Sequence, residues 1–302
     1  MTDPREVAVI GLGNMGNPMA GRLIAAGHAV HGYDVGVEAL ARFQAQGGFG
    51  HPDAVAAAAT ADVVILLLPD STVVHDVVSR LRAAGLPRPG STVIDMGSSE
   101  PMQTRLVAEA LAGDGVRFID APVSGGVSGA EAGTLTVMAG GPDELVARFT
   151  PLLSRLGAVI HVGPLGAGHA VKALNNLISA THLWMTSEAV TIGEQFGIAP
   201  ETTLRVLNGS SGRSGSSEAK WPKFILTGRY DSGFAARLML KDAKIAARLA
   251  DELGMPTDLG EQVVQLWAKA VEGLPAQADH TEIARWIQER ANTVAPKAGG
   301  LA

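Results

Sequence analysis

Short apolar runs alternate with helical stretches through the first half of the chain. The pattern predicts strands at residues 7–10, 29–33, 63–68, 92–95 and 117–119 and helices at 15–26, 37–45, 71–83 and 102–112, with a weaker helix at 55–59. Such alternation is typical of β-α-β units around a mostly parallel sheet. Two more apolar runs, 134–139 and 158–162, flank a predicted helix at 143–156, and we expect them to extend the same sheet.

The strand signals stop after Gly163. Residues 166–195 contain no proline, and a helix of that length would be about 45 Å long, which is typical of a connection between domains. Further helices are predicted at 200–207, 234–253, 259–271 and 281–288, the first three each followed by a glycine. Residues 210–217 are predicted to form a flexible loop and residues 295–302 a frayed tail.

Composition narrows the class of protein. A chain of 302 residues favours two domains, and we place them at 1–165 and 166–302, with a long interdomain helix at 166–196. The net charge of −6 argues against nucleic acid or an anionic membrane as a partner. There is no cysteine, no apolar run long enough to span a bilayer and no secretory signal pattern, so we expect a cytoplasmic protein. No metal site is predicted, because the eight histidines form no H-x-x-x-H pair.

A G-x-G-x-x-G segment directly follows the first predicted strand and opens a helix. It consists of Gly11, Leu12, Gly13, Asn14, Met15 and Gly16. In a Rossmann-type domain, the first glycine permits the tight turn, the second lets the backbone approach a pyrophosphate, and the third allows close helix packing. Asp34 ends the second strand, where a carboxylate can bind the adenosine ribose. No arginine follows Asp34 to bind a 2′-phosphate, so NAD is favoured over NADP.

Two further segments carry candidate chemistry. Lys172 and Asn176 share one face of the long predicted helix, and a lysine near a positive nicotinamide ring is expected to have a lowered pKa and to act as acid and base. A solvated surface lysine is the alternative. Ser124, Gly125 and Gly126 follow a predicted strand, so their backbone N–H groups and the serine hydroxyl can hold a carboxylate. The alternative is a turn that only reverses the chain.

Four segments together resemble the signature motifs of the β-hydroxyacid dehydrogenase family. They are GLGNMGNPMA at 11–20, DAPVSGG at 120–126, the G-x-G-x-x-x-K-x-x-x-N segment that ends at Asn176, and MLKDAKIA at 239–246. The family includes 3-hydroxyisobutyrate dehydrogenase, tartronate semialdehyde reductase and, more distantly, 6-phosphogluconate dehydrogenase. The resemblance implies an α/β N-terminal dinucleotide-binding domain with an all-α C-terminal domain, an NAD-dependent oxidoreductase of small 3-hydroxy acids, and a homodimer or homotetramer.

The resemblance also implies residue roles. Lys172 matches the catalytic lysine, Asn176 the residue that orients the substrate, and 124–126 the loop that binds the substrate carboxylate. Lys241 matches a lysine that approaches the cofactor, and the positions that line the dinucleotide are Leu68, Pro69 and Ser98. Two departures are Gly97, where relatives commonly have serine, and the loop at 210–217. In that loop Arg213 is a candidate contact to a second polar group of the substrate, and a solvated arginine is the alternative.

Several substrates and activities stay open at this point. Tartronate semialdehyde, L-threonate, 3-hydroxypropionate and serine share the carboxylate and hydroxyl that the motifs recognise. An imine reductase is a rival enzyme, although the position of Lys172 usually carries another residue in that group. A protein that senses NAD without turnover is the rival from outside the enzymes.

Overall fold

The computed structural model describes residues 6–294, and the chain divides into two compact units between Lys172 and Ala173. The first unit is an α/β domain and the second is helical. The tail predicted at 295–302 lies outside the described residues. No helix within residues 6–294 is both long and apolar enough to cross a membrane.

The first unit is built around one sheet. Its elements are β1 (Glu6–Ile10), α1 (Gly16–Ala25), β2 (Ala29–Tyr33), α2 (Val37–Ala45), β3 (Phe49–Gly50), α3 (Ala54–Ala58), β4 (Val63–Leu66), α4 (Ser71–Ala83), β5 (Thr92–Asp95), α5 (Pro101–Ala112), β6 (Arg117–Asp120), β7 (Val123–Ser124), α6 (Gly126–Ala132), β8 (Leu135–Gly140), α7 (Asp143–Leu153) and β9 (Gly157–Gly163). The strand order is β3-β2-β1-β4-β5-β6-β8-β7, and β9 pairs with β8. Strands β1 to β6 are parallel, whereas β8 is antiparallel to β6 and β7. The predicted mostly parallel sheet is confirmed.

Both faces of this sheet are buried. Val7 and Val9 of β1 pack into one apolar cluster, while Ala8 and Ile10 pack into another. Successive strand residues point to opposite faces, so a strand covered by helices on both sides appears as a continuous apolar run. The central strands could therefore be predicted from the sequence.

The predictions missed three short elements of this unit, namely β3, β7 and α6. Helix α6 begins in a run of glycines, which disfavour helix formation. It forms because it packs closely on β8: a Cβ on Gly129 would stand 3.1 Å from the side chain of Leu135. The fourth strand is also shorter than predicted and ends at Leu66 rather than Leu68.

As far as residue 294, the second unit contains most of α8 and five further helices. They are α8 (Ala167–Gln195), α9 (Pro200–Asn208), α10 (Ser216–Ile225, a π-helical segment), α11 (Ala236–Glu252), α12 (Asp258–Gly273) and α13 (Glu282–Val294). The long predicted helix is therefore present as α8. The core of this unit includes Leu183, Trp221, Trp267 and Ile283, all fully or almost fully buried.

The predicted flexible loop at 210–217 is wrong at its C-terminal end. Ser216 and Ser217 are buried in the first turn of α10. The hydroxyl of Ser217 accepts a 2.9 Å hydrogen bond from the backbone N–H of Ser214. Serine hydroxyls often bond to nearby backbone groups at turns and helix ends, so a serine-rich composition alone does not establish flexibility. Helix α12 likewise includes Gly273, which was predicted to follow it.

Candidate active site

The glycine loop after β1 is tightly closed at two positions and open at a third. A Cβ on Gly11 would stand 2.3 Å from the carbonyl oxygen of Leu67, and one on Gly16 would stand 2.0 Å from that of Gly11. A Cβ on Gly13 would meet nothing within 4 Å. The backbone at Gly13 therefore faces open space at the start of α1, and this arrangement fits the diphosphate of a dinucleotide.

Asp34 is fixed directly beside this loop. Its Oδ2 accepts a 2.6 Å hydrogen bond from the backbone N–H of Leu12, and its Oδ1 accepts a 2.7 Å bond from that of Gly36. Asn17, which the sequence analysis did not single out, is buried and donates to the carbonyl oxygens of Leu12 and Ala39. The carboxylate is thus held in one orientation, and each oxygen keeps lone-pair capacity for a ribose hydroxyl.

Two other predicted cofactor segments lie on the same sheet edge as the glycine loop. Leu68 and Pro69 follow β4, and Ser98 follows β5, the two strands next to β1 on this side of the sheet. Carboxyl ends of neighbouring parallel strands meet at one edge, where such sheets bind ligands. The structure also accounts for the departure at Gly97: a Cβ there would stand 2.7 Å from the carbonyl oxygen of Leu68.

The first turn of α8 is anchored to β6 by a buried carboxylate. Asp120 accepts hydrogen bonds from the backbone N–H groups of Gly166 at 2.8 Å and His169 at 2.9 Å. Burial raises the pKa of Asp120, and His169 and the backbone N–H groups partly oppose that shift. Gly168 is required here because a Cβ would stand 2.3 Å from the carbonyl oxygen of Met138. The helix that carries Lys172 therefore begins at a fixed point on the sheet.

His169 lies between the buried carboxylate of Asp120 and a second buried carboxylate, that of Asp95. His169 Nδ1 lies 2.7 Å from the hydroxyl of Thr104, and its Nε2 lies 3.7 Å from Asp95. Asp95 also accepts hydrogen bonds from the backbone N–H of Gly97 and the hydroxyl of Ser99. Asp95, Asp120 and His169 were not predicted from the sequence as supporting residues. The available signal was an aspartate at the end of each of two buried strands.

Lys172 and Asn176 lie one turn apart on α8, as predicted. Lys172 is half-buried and Asn176 is buried. The side-chain amide of Asn176 donates a 2.6 Å hydrogen bond to Asp242 of α11 and accepts one from Asn175. Asp242 is buried as well, and its other oxygen lies 3.3 Å from Nζ of Lys241. Asp242 therefore sets the orientation of Asn176, a role that the sequence did not reveal.

The segment from Ser124 to Gly126 links β7 to α6. Gly125 and Gly126 have φ values of +135° and +66°, which favour glycine. A Cβ on Gly126 would meet nothing within 4 Å, so this turn faces open space beside the half-buried Ser124. The geometry leaves room for a small ligand against the turn.

Two cations, one just before α10 and one within it, lie in different surroundings. The side chain of Arg213 is 62% exposed, and its Nε lies 3.6 Å from Glu218. Lys220 is half-buried, and its Nζ donates a 2.8 Å hydrogen bond to the hydroxyl of Ser179 on α8. The exposed Arg213 was predicted from the sequence as a candidate contact, whereas the half-buried Lys220 was not.

Comparisons with known proteins agree on one family. Residues 6–163 match the NAD binding domain of 6-phosphogluconate dehydrogenase, and residues 166–287 match a family described as NAD-binding of NADP-dependent 3-hydroxyisobutyrate dehydrogenase. The chain belongs to the β-hydroxyacid dehydrogenase family. It is 37% identical to 3-hydroxyisobutyrate dehydrogenase of Pseudomonas aeruginosa over 91% of this chain and 93% of that protein. It is 36% identical to 2-(hydroxymethyl)glutarate dehydrogenase of Eubacterium barkeri over 87% of this chain and 88% of that protein.

A solved structure agrees with these relatives. Mycobacterium tuberculosis 3-hydroxyisobutyrate dehydrogenase with L-serine is 32% identical, with a TM-score of 0.87 over 93% of this chain and 98% of that one. The resemblance inferred from the four segments is therefore confirmed. So are the fold class and the assignment as a hydroxyacid dehydrogenase with an NAD(P)-binding domain.

Proposed function

We propose that the protein oxidises the hydroxyl-bearing carbon of a small 3-hydroxy acid with NAD, with Lys172 as general acid and base. The observation that carries this proposal is the anchored start of α8, which holds Lys172 one turn before an Asn176 fixed by Asp242. General acid–base catalysis requires a side chain held in position for a single proton transfer. The start of the helix that carries Lys172 is anchored by Asp120, and the amide of Asn176 is held by Asp242.

The proposed chemistry transfers a hydride and a proton. NAD, when held by the proposed cofactor residues, would supply the acceptor for the hydride of the hydroxyl-bearing carbon. Lys172 Nζ takes the hydroxyl proton as the carbonyl forms, and returns it to the carbonyl oxygen in the reverse direction. Asn176 orients the reacting oxygen, and the turn at 124–126 binds the carboxylate next to the reacting carbon. Lys241 as a cofactor contact stays a prediction from the family resemblance.

The proposed cofactor contacts are the glycine loop at 11–16 and the segments that contain Leu68, Pro69 and Ser98. Preference for NAD rests on Asp34, whose charge would lie beside the 2′-phosphate of NADP. The residues that follow it are Val35, Gly36 and Val37, which offer no positive charge to that phosphate. We expect at least about a tenfold preference for NAD in kcat/KM, because an unbalanced contact between like charges costs more than roughly 1.4 kcal/mol.

The proposed substrate class follows from what the relatives are named for. 3-Hydroxyisobutyrate and 2-(hydroxymethyl)glutarate both carry a hydroxymethyl group on the carbon next to a carboxylate, as does L-serine with its amino group. The reacting part is therefore shared, and the substituent on the central carbon differs. Arg213 is retained as a proposed contact to a polar substituent.

We further propose the domain division at 1–165 and 166–302 and assembly into a dimer or tetramer. The family matches over 6–163 and 166–287 support the division. Assembly is supported by exposed apolar residues that recur along α8 and just beyond it, namely Leu174, Ile178, Met185, Ile192 and Phe196. A continuous apolar stripe in water favours burial against another surface. Light scattering should give at least twice the monomer mass, and a fully active monomer would contradict the assembly.

The function is tested by following NADH formation with purified protein and a panel of acids. 3-Hydroxyisobutyrate, 2-(hydroxymethyl)glutarate, serine, L-threonate and 3-hydroxypropionate form the panel, each assayed with NAD and with NADP. The methyl ester of 3-hydroxyisobutyrate is the control, since it keeps the hydroxyl and loses the carboxylate charge. We expect turnover of at least one acid, faster with NAD, and little turnover of the ester. Failure of every acid would contradict the proposed function.

A further inference from the structure

A lysine from α10 lies on the face of α8 that carries Asn176. Lys220 Nζ donates a 2.8 Å hydrogen bond to Oγ of Ser179, which is three residues after Asn176. Residues three apart on a helix are neighbours on one face and are separated by about 4.5 Å along its axis. The ammonium therefore lies about one turn beyond the amide that is proposed to orient the reacting oxygen.

In the described part of the chain, no carboxylate forms an ion pair with this ammonium. Among residues 6–294, its hydrogen-bond partner is the hydroxyl of Ser179. The charge of Asp279 acts on Lys220, but both oxygens of this carboxylate are already bound elsewhere. They accept hydrogen bonds of 2.6–3.1 Å from Ser232, Gly233, Phe234 and Thr281.

The surroundings make this positive charge costly to maintain. Burial lowers the pKa of Lys220 to about 8, and the charge on Asp279 only partly opposes the shift. His280, the titratable neighbour beside Asp279, carries no negative charge in either protonation state, and burial and the charge of Lys220 both lower its pKa. An anion that binds to a half-buried ammonium hydrogen-bonded to a hydroxyl would stabilise its positive charge.

We propose that Lys220 binds a second anionic group of the substrate, and that the protein therefore prefers 3-hydroxy acids with a further carboxylate on the substituent of the central carbon. This inference rests on the proposed function, since it takes Asn176 as the site of the reacting oxygen. The spacing along α8 suits a substituent of two methylene groups that ends in a carboxylate.

Two acids form a matched pair of probes. 3-Hydroxyisobutyrate and 2-(hydroxymethyl)glutarate share the hydroxymethyl group and the first carboxylate, and they differ only in a methyl against a carboxyethyl substituent. Steady-state kinetics would compare the wild type with Lys220→Met, which keeps the length of the side chain and removes its charge. Lys223→Met is the control, because Lys223 is an exposed lysine of the same helix.

We expect the wild type to have the lower KM for the diacid. Lys220→Met should raise that KM about tenfold or more, as expected for loss of a charged hydrogen bond, with little change for 3-hydroxyisobutyrate. Lys223→Met should alter neither value appreciably. An equal change for both acids, or no wild-type preference for the diacid, would overturn the proposal.

The pH dependence gives a readout that a purely structural lysine would not move. As pH rises above about 8, Lys220 loses its charge, so the ratio of KM for the diacid to KM for the monoacid should rise. The acid–base step that both acids share affects both KM values and cancels in this ratio. Lys220→Arg should keep the ratio flat, because a guanidinium remains charged. A wild-type ratio that is independent of pH would contradict the assignment.

A binding measurement separates failure of this inference from failure of the proposed function. Glutarate carries both carboxylates and no hydroxyl, so calorimetry with glutarate needs no turnover. We expect Lys220→Met to bind glutarate about tenfold more weakly than the wild type or Lys223→Met. If both acids fail to reduce NAD while this difference is found, the proposed function is contradicted and the anion site stands. Equal glutarate binding by all three proteins would overturn the site.

Discussion

The two units build their candidate functional groups in different ways. In the α/β unit the cofactor loop is backbone: Gly11 and Gly16 exclude any side chain, and Gly13 leaves the chain open to a ligand. In the helical unit the groups are side chains that meet across helices, such as Asn176 with Asp242, 66 residues apart in sequence. An added methyl group would disrupt the glycine loop, whereas the loss of a charge would disrupt the contacts between helices. Predictions for single substitutions follow from this difference.

The largest effect is expected at Lys172, where α8 leaves the α/β unit. Lys172→Ala removes the proposed proton acceptor and should lower kcat by about 10²–10⁴-fold. NADH binding, measured by fluorescence titration, should change little. The control is Lys244→Ala, which removes an exposed lysine from α11. A Lys172→Ala variant that kept more than about a tenth of kcat with chemistry rate-limiting would require another base.

Asp242 tests the helical unit. Asp242→Asn keeps the size of the side chain and removes the charge that holds Asn176 at 2.6 Å. Loss of a charged hydrogen bond of roughly 1.5–3 kcal/mol corresponds to about a 10- to 150-fold fall in kcat/KM. Asp251→Asn, an exposed position at the end of the same helix, should have little effect. Unchanged kinetics for Asp242→Asn would show that Asn176 needs no such support.

The two units also differ in how much of their candidate site could be predicted from the sequence. Glycine spacing and a buried strand are local, so the loop at 11–16 and the strand before it were readable directly. Asp242 was visible only as part of a motif, since its hydrogen bond to Asn176 depends on how α8 and α11 pack. Lys220 gave no signal, because a lysine in a helix is usually solvated and its enclosure is a product of the tertiary fold.

The glycine loop offers a paired test of the α/β unit. Gly16→Ala should lower the free energy of unfolding by about 1–3 kcal/mol, because the new Cβ overlaps the carbonyl oxygen of Gly11. Gly13→Ala should keep its stability, since that Cβ meets no protein atom, yet weaken NADH binding by about tenfold. Urea denaturation and NADH titration measure the two effects. Equal behaviour of the two variants would contradict the distinction between closed and open glycines.

The smallest effect is expected at Arg213. Its side chain is largely exposed and lies near Glu218, so Arg213→Ala should raise KM for a polar substrate by only about two- to threefold, within the range of exposed ion pairs. Steady-state kinetics with the diacid and 3-hydroxyisobutyrate measure this. If Arg213→Ala raised the KM for the diacid more than Lys220→Met does, Arg213 rather than Lys220 would be the more important cation for substrate binding.

Direct transfer of hydride from the hydroxyl-bearing carbon is the central claim, and isotope labelling tests it most directly. 3-Hydroxyisobutyrate deuterated on its hydroxymethyl carbon would be incubated with the protein and NAD, and the NADH formed would be analysed by mass spectrometry. The account predicts that each NADH carries one deuterium from the substrate, and that Lys172→Ala slows its formation without changing the label. NADH formed without deuterium would contradict the account.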